Sequence, residues 1–186
     1  VAEQVARGGE SRLEPLRAVV VLPREVNLLL AAHTNKALVS FGAAARLLGA
    51  ARRDHAGREL LLHLDRQGGR RRYRDLLAGL WPAAAIRVDE ESAVRSAYCL
   101  EDGDGRIRLV VSVGAEAREL PVALASMLSK YLRELLMEPF NSFWTARLPG
   151  LAPTAGYPVD GARFWRAIEG ELRGLGIDAD LVYRSR

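Results

Sequence analysis

The segment Glu59–Asp65 reads Glu-Leu-Leu-Leu-His-Leu-Asp, and it limits what the chain can fold into more than any other stretch. A near-continuous apolar run of this length, bounded by charge, has no polar face to offer water. It reads as a buried central strand of an α/β sheet. Gln67-Gly68-Gly69 follows as a turn. Ala84–Asp89 is a second short strand candidate. Ser96–Leu100 and Arg106–Val113 flank Glu101-Asp102-Gly103-Asp104-Gly105, which has hairpin turn chemistry.

Helical patterns surround these strands. Arg24 to about Leu48 carries helically spaced apolar positions. His33-Thr34-Asn35 is a candidate break with Thr34 or Asn35 as an N-cap, and Gly49 is a candidate stop. Ala18–Leu22 is a short apolar run, strand or helix end, stopped by Pro23. Arg70–Leu80 reads as a short helix. Leu120–Arg147 is the longest helical pattern, opened by Pro121 and interrupted by Pro139. Leu148–Pro158 is a Pro/Gly loop, and Asp160 is a candidate cap for a last helix, Gly161–Arg173. Strands alternating with helices predict an α/β domain.

Composition narrows the function classes. No apolar run reaches the roughly eighteen residues of a membrane span. Cys99 is the single cysteine, so an internal disulfide framework and a cysteine-built zinc cluster are excluded, and a reducing, cytoplasmic setting is expected. The charge balance is +4, from 27 basic and 23 acidic residues, and all the basic ones except Lys36 and Lys130 are Arg. Arginine forks onto phosphates and carboxylates, so a polyanionic partner is allowed.

Three features carry candidate chemistry. Asp65 ends the most strand-like segment, where α/β proteins build their sites; there it is a metal-binding carboxylate, a solvated turn residue, or an Asp bonded to the backbone of its own turn. Ser126, Lys130, Glu134 and Glu138 recur every four residues and share one helix face, while Met127, Leu128, Tyr131, Leu132, Leu135 and Leu136 are available for the others. Lys130–Glu134 is also an ordinary solvated pair. Arg66, Arg70, Arg71, Arg72 and Arg74 form a basic run after Asp65. Gly68 and Gly69 there would let backbone amides approach a phosphate at the start of the next helix. The alternative is a solvated helix face. His33, His55 and His63 show no ligand spacing.

Ala125–Met137 resembles the signature helix of type 2 ribonuclease H (ribonuclease HII), which reads A-S-hydrophobic-hydrophobic-A-K-V-T-R-D-R-x-M. Ala125, Ser126, Lys130, Arg133 and Met137 agree in register, and Glu134 falls on the catalytic Asp. Gly156-Tyr157-Pro158 looks like the family's K-G-Y-G/P-T element. Asp65 after Glu-Leu-Leu-Leu-His-Leu resembles its strand-end metal ligand. Val26–Ala37 and Asp65–Arg70 look like a divergent bacterial branch. The likeness spans about residues 24–173, and only Ala125–Met137 is close. The family's N-terminal D-E-A-G-R-G strand has no counterpart, Glu134 stands for Asp, and Leu132 replaces Thr.

The resemblance implies a ribonuclease-H-like fold: a central mixed sheet flanked by helices, its first strands missing, with a helical C-terminal segment. Residues 1–23 would be a lead-in left by an N-terminal truncation, 24–147 the ribonuclease-H-like domain, and 148–186 a loop and helix completing the cleft. It implies Mg²⁺- or Mn²⁺-dependent hydrolysis of the RNA strand of RNA–DNA hybrids, or cutting at ribonucleotides in DNA, by a monomer. Asp65 and Glu134 would ligate metal. Arg70, Ser126 and Lys130 would contact phosphate, and Tyr157 the junction nucleotide. With half the ligand set absent, this chain would be inactive or nearly so. The alternatives are a non-catalytic nucleic-acid-binding domain of that fold and a DNA-directed nuclease or recombinase of the same superfold.

Overall fold

The computed structural model describes residues 14–32 and 36–184. The elements in chain order are α1 (Pro23–Ala32), α2 (Lys36–Asp54), β1 (Leu60–Asp65), α3 (Arg74–Leu80), β2 (Ala85–Glu91), β3 (Arg95–Asp102), β4 (Gly105–Ser112), a 3₁₀ turn (Ala115–Ala117), α4 (Leu120–Thr145), α5 (Pro158–Leu175) and α6 (Ala179–Val182). This is an α/β protein with one four-stranded mixed sheet and flanking helices. Two compact units form. One holds residues 14–19 and 36–126, the other 20–32 and 127–184, so the boundary falls inside α4.

In the first unit the strand order is β1-β4-β3-β2. The β2–β3 and β3–β4 pairs are antiparallel, and β1 runs parallel to β4 with Leu60 opposite Ile107 and Asp65 opposite Ser112. The hairpin expected around Gly103 is present, with Asp102 opposite Gly105. Phe41 and Leu48 of α2, with Tyr73 and Leu77 at α3, pack on the inward residues Tyr98, Leu100, Ile107, Leu109 and Val111. Leu60, Leu62 and Leu64 of β1 join this core, which is why alternate β1 positions are apolar.

The central position expected for β1 is corrected: β1 is an edge strand, and Leu61 on its other face is 56% exposed. The strand buried on both faces is β3, where Ser96 through Leu100 are all buried. Other boundaries also move. Residues 14–22 adopt neither strand nor helix, and α1 opens at Pro23 itself. α2 runs through Gly49 to Asp54. The expected break at His33-Thr34-Asn35 lies outside the described residues. Helix α3 begins only at Arg74, so Arg70–Tyr73 is loop. Helix α5 begins at Pro158, with Tyr157 as its N-cap, and Asp160 falls in its first turn rather than at its cap.

The second unit has its own core. Phe164, Ile168 and Leu172 recur every four residues along α5 and pack on Trp144 of α4. Trp165 stacks on Tyr183 with ring centroids 4.5 Å apart. Asn27 of α1, buried, donates to Asp180 Oδ1 and to the Tyr183 carbonyl, fastening α1 to α6.

Candidate nucleic-acid interface

Asp65, Arg70 and Ser126 belong to the first unit; Lys130, Glu134 and Tyr157 belong to the second. Asp65 is exposed at the end of β1. Its Oδ1 accepts the Ala115 N–H at 2.9 Å, so it caps the 3₁₀ turn that follows β4. Its Oδ2 has no partner among the described residues. Ser126 donates to Glu116 Oε2 at 2.9 Å, which places its hydroxyl on a carboxylate of the same turn. His63, two residues before Asp65 and on the same face, lies with Nδ1 3.5 Å from Glu119 Oε2. Sequence spacing gave no sign of this pair, because strand alternation relates His63 to Asp65 but nothing local relates either to Glu119.

The basic run divides into two kinds of arginine. Arg66 is structural. Its guanidinium donates to the carbonyls of Ala93 and Ser92 and to Ser96 Oγ, tying the end of β1 to the β2–β3 turn. Arg70, Arg71 and Arg72, with Gly69 and Ala37, line an open cleft of about 600 Å³. Among the described residues only Arg72 of these three reaches an acid, with Nε 3.8 Å from Glu91 Oε2, while its side chain stays 89% exposed. Arg70 Nε is buried without a hydrogen-bond partner among the described residues. Arg74 lies beside Asp75 at 3.7 Å on the first turn of α3. Because α3 starts at Arg74, Gly68 and Gly69 do not open a helix, and the cleft lies beside the loop residues Gly69–Arg72 rather than at a helix start.

The loop is held from beneath. Tyr73 and Tyr98 are fully buried, as is Ser96. The Tyr73 N–H donates to the Tyr98 hydroxyl at 2.9 Å, and that hydroxyl donates to Glu91 Oε1 at 2.5 Å. Burial, and then the Glu91 carboxylate beside it, push the Tyr98 phenol above its ordinary range. Ser96 Oγ donates to the Arg71 carbonyl at 2.7 Å. Gly68 sits at φ +59°, a left-handed turn conformation that suits glycine.

Three strand arginines are paired with acids by contrast. Arg87 pairs with Asp89, Arg95 with Glu90 and Arg106 with Glu101. The hydrogen bond from Arg87 holds Asp89 below the usual carboxylate range, and that from Arg95 does the same to Glu90.

In the second unit Lys130 and Glu134 are exposed on α4, and no ion pair joins them among the described residues. Glu138 is exposed on the same stripe, but so are Met127, Tyr131, Leu135 and Leu136 on the other faces. Tyr157 is 57% exposed. The Arg133 guanidinium lies 4.1 Å from its ring centroid and donates to the Ala155 carbonyl at 2.6 Å. A side chain at Gly156, which has φ +71°, would start 3.3 Å from Arg133 Nη2, so glycine is what lets the arginine reach across. The loop before Tyr157 is rigidly bonded. Asn141 exchanges two hydrogen bonds with the Thr154 backbone, and Asp160 Oδ2 accepts the Thr154 hydroxyl at 2.6 Å and the Ala155 N–H at 3.0 Å. The Thr154 hydroxyl, then Arg163, holds the Asp160 carboxyl below its usual range.

A two-metal hydrolase needs several oxygen ligands around each ion. Among the described residues no three His, Cys, Asp or Glu side chains come together to hold a metal. The donor set therefore does not fit a Mg²⁺ or Mn²⁺ cage, and no hydrolytic step is derived from it. Among the described residues no helix is long and apolar enough to cross a membrane. No protein-family model, curated protein or solved structure matches the chain.

Proposed function

We propose that this chain binds the phosphate backbone of nucleic acid through the Gly69–Arg72 cleft, as part of a cytoplasmic protein of ribonuclease-H-like fold related to ribonuclease HII. One observation carries the reading. Three strand arginines, Arg87, Arg95 and Arg106, each pair with an acid, whereas the cleft gathers Arg70, Arg71 and Arg72 with one carboxylate among the described residues, Glu91, 3.8 Å from Arg72 Nε. An open cationic cleft of that kind neutralises phosphates and releases counterions. The aromatic nearest the cleft, Tyr73, is buried, so the cleft addresses backbone rather than base faces. The resemblance of Ala125–Met137 makes an RNA–DNA hybrid, or duplex DNA containing ribonucleotides, the first ligand to test.

The test is fluorescence anisotropy of a labelled hybrid over a salt series. Each phosphate neutralised contributes about −0.9 to the slope of log K against log salt. Replacing Arg70, Arg71 and Arg72 together with Gln should flatten the slope by about 2 to 3 and weaken binding at low salt. An unchanged slope would remove the cleft from the interface.

A second reading, non-catalytic binding, has its own support: Asp65 caps a turn, and the described carboxylates assemble no metal cage. Incubation of the bound hybrid with Mg²⁺ or Mn²⁺ separates the two. Intact hybrid favours binding alone, and cleavage favours the hydrolase.

A further inference from the structure

We infer that the Gln67–Tyr73 loop is a preformed cradle for a phosphate group and that Tyr98, buried in β3 beneath it, is the positioning residue that sets its shape. The nucleic-acid reading enters only in naming the source of the phosphate. Three groups are held from beneath by buried hydroxyls: Gln67 N–H reaches Tyr73 Oη at 3.4 Å, the Arg71 carbonyl accepts Ser96 Oγ–H, and Tyr73 N–H donates to Tyr98 Oη. Gly69, Arg70, Arg71 and Arg72 line the cleft above them, with Arg70 Nε buried and without a hydrogen-bond partner among the described residues.

Tyr98 acts twice at the C-terminal end of the arginine run. Its hydroxyl oxygen takes the N–H that follows Arg72. Its proton goes to Glu91, whose second oxygen lies 3.8 Å from Arg72 Nε. One buried hydroxyl thus fixes the backbone after the run and the carboxylate that aims its last member. A cradle organised before its ligand arrives spends less binding energy on ordering flexible arginines. Tyr98 is 1% exposed and touches no ligand, so its effect passes through the loop.

The phosphate could belong to a nucleic-acid diester or to a free or terminal phosphate, and the assay separates these. The full chain is titrated with inorganic tripolyphosphate, followed by the arginine Nε–Hε resonances, and separately with an RNA–DNA hybrid. Wild-type protein should bind tripolyphosphate with shifts centred on Arg70, Arg71 and Arg72. Tyr98→Phe keeps the ring in the core and deletes only the hydroxyl; it should weaken tripolyphosphate binding at least fivefold at temperatures well below its melting point. Ser96→Ala, which frees the Arg71 carbonyl, should act in the same direction and decides the matter if Tyr98→Phe fails to fold. Arg95→Gln, which removes a paired arginine, should leave binding unchanged. A purely structural Tyr98 would lower the melting temperature without moving the affinity. That outcome, or no tripolyphosphate binding by the wild type, overturns the inference. Tripolyphosphate bound with hybrid refused would keep the cradle and sink the nucleic-acid reading. Hybrid bound with both hydroxyl variants unaffected would do the reverse.

Discussion

Asp65 illustrates how one carboxylate can satisfy a turn and still present an oxygen to solvent. Its Oδ1 holds the Ala115 N–H, and its Oδ2 faces no partner among the described residues. Sequence position offered a metal ligand, a solvated turn residue or a bond to its own turn; the bond that forms is instead to the 3₁₀ turn fifty residues further on. The two roles respond differently to substitution. Asparagine keeps an oxygen for Ala115 and loses the charge; alanine loses both. Asp65→Asn should shift stability by less than about 0.5 kcal/mol, and Asp65→Ala should cost about 1 kcal/mol, the usual worth of such a bond. Urea unfolding measures both. Equal losses would mean that the charge, not the hydrogen bond, matters here. The arginines make the converse point about legibility. Arg66 and Arg70 are the same residue four positions apart, and nothing local distinguishes them. Arg66 becomes structural only because the β2–β3 turn brings the Ser92 and Ala93 carbonyls to it, a long-range event that no local pattern encodes.

Elements follow the same logic. Apolar periodicity reports which faces of a strand are covered, not how many neighbours it has. Leu60, Leu62 and Leu64 announced a packed strand correctly, and the continuous run then suggested a central one; the pairing instead places β1 at the edge. The Gly-rich turn before α3 was legible, but the helix start was not, because Arg70–Tyr73 is held in loop form by hydroxyls on β3 that lie more than twenty residues away in sequence. The loop before α5 is a similar case, fastened by Asp160 from inside the helix it precedes. Its carboxyl is depressed by the Thr154 hydroxyl first and the Arg163 guanidinium next. A depressed folded-state pKa gives stabilisation that is fully present above the unfolded value, about 3.9, and drains away as pH falls through the lower folded value. Asp160→Asn should therefore melt below wild type at pH 7, and the gap between the two melting curves should narrow below about pH 4. A gap independent of pH would show that the ionised form of Asp160 contributes nothing to holding this loop.

At the scale of the whole molecule, the resemblance set residues 148–186 apart from a domain over 24–147, whereas the two compact units divide inside α4, between Ser126 and Met127, and each has its own core. Phe41, Tyr73 and Leu109 anchor the first, and Trp144, Phe164 and Ile168 the second. The reason is visible in α4. It carries Val122, buried, near its start and Trp144, buried, near its end, while Met127, Tyr131, Leu135 and Leu136 between them remain exposed. A single helix thus supplies a residue to each unit's interior, and a sequence reading that treats it as one amphipathic element cannot see the division. Arginines differ in the same way within the first unit: Arg87, Arg95 and Arg106 on the strands pair with acids, and Arg70, Arg71 and Arg72 gather at one cleft. The tryptophans allow the second core to be tested by itself. Trp81 belongs to the first unit, and Trp144 and Trp165 to the second. In a Trp81→Phe background, Ile168→Ala should open a cavity beside Trp144 and cost the second unit about 2 to 4 kcal/mol, because a buried Ile truncated to Ala loses both transfer energy and packing. The tryptophan emission transition should move to lower urea accordingly. Ile168 is 1% exposed, so an unmoved transition would mean that Trp144 and Ile168 do not share the core assigned to them.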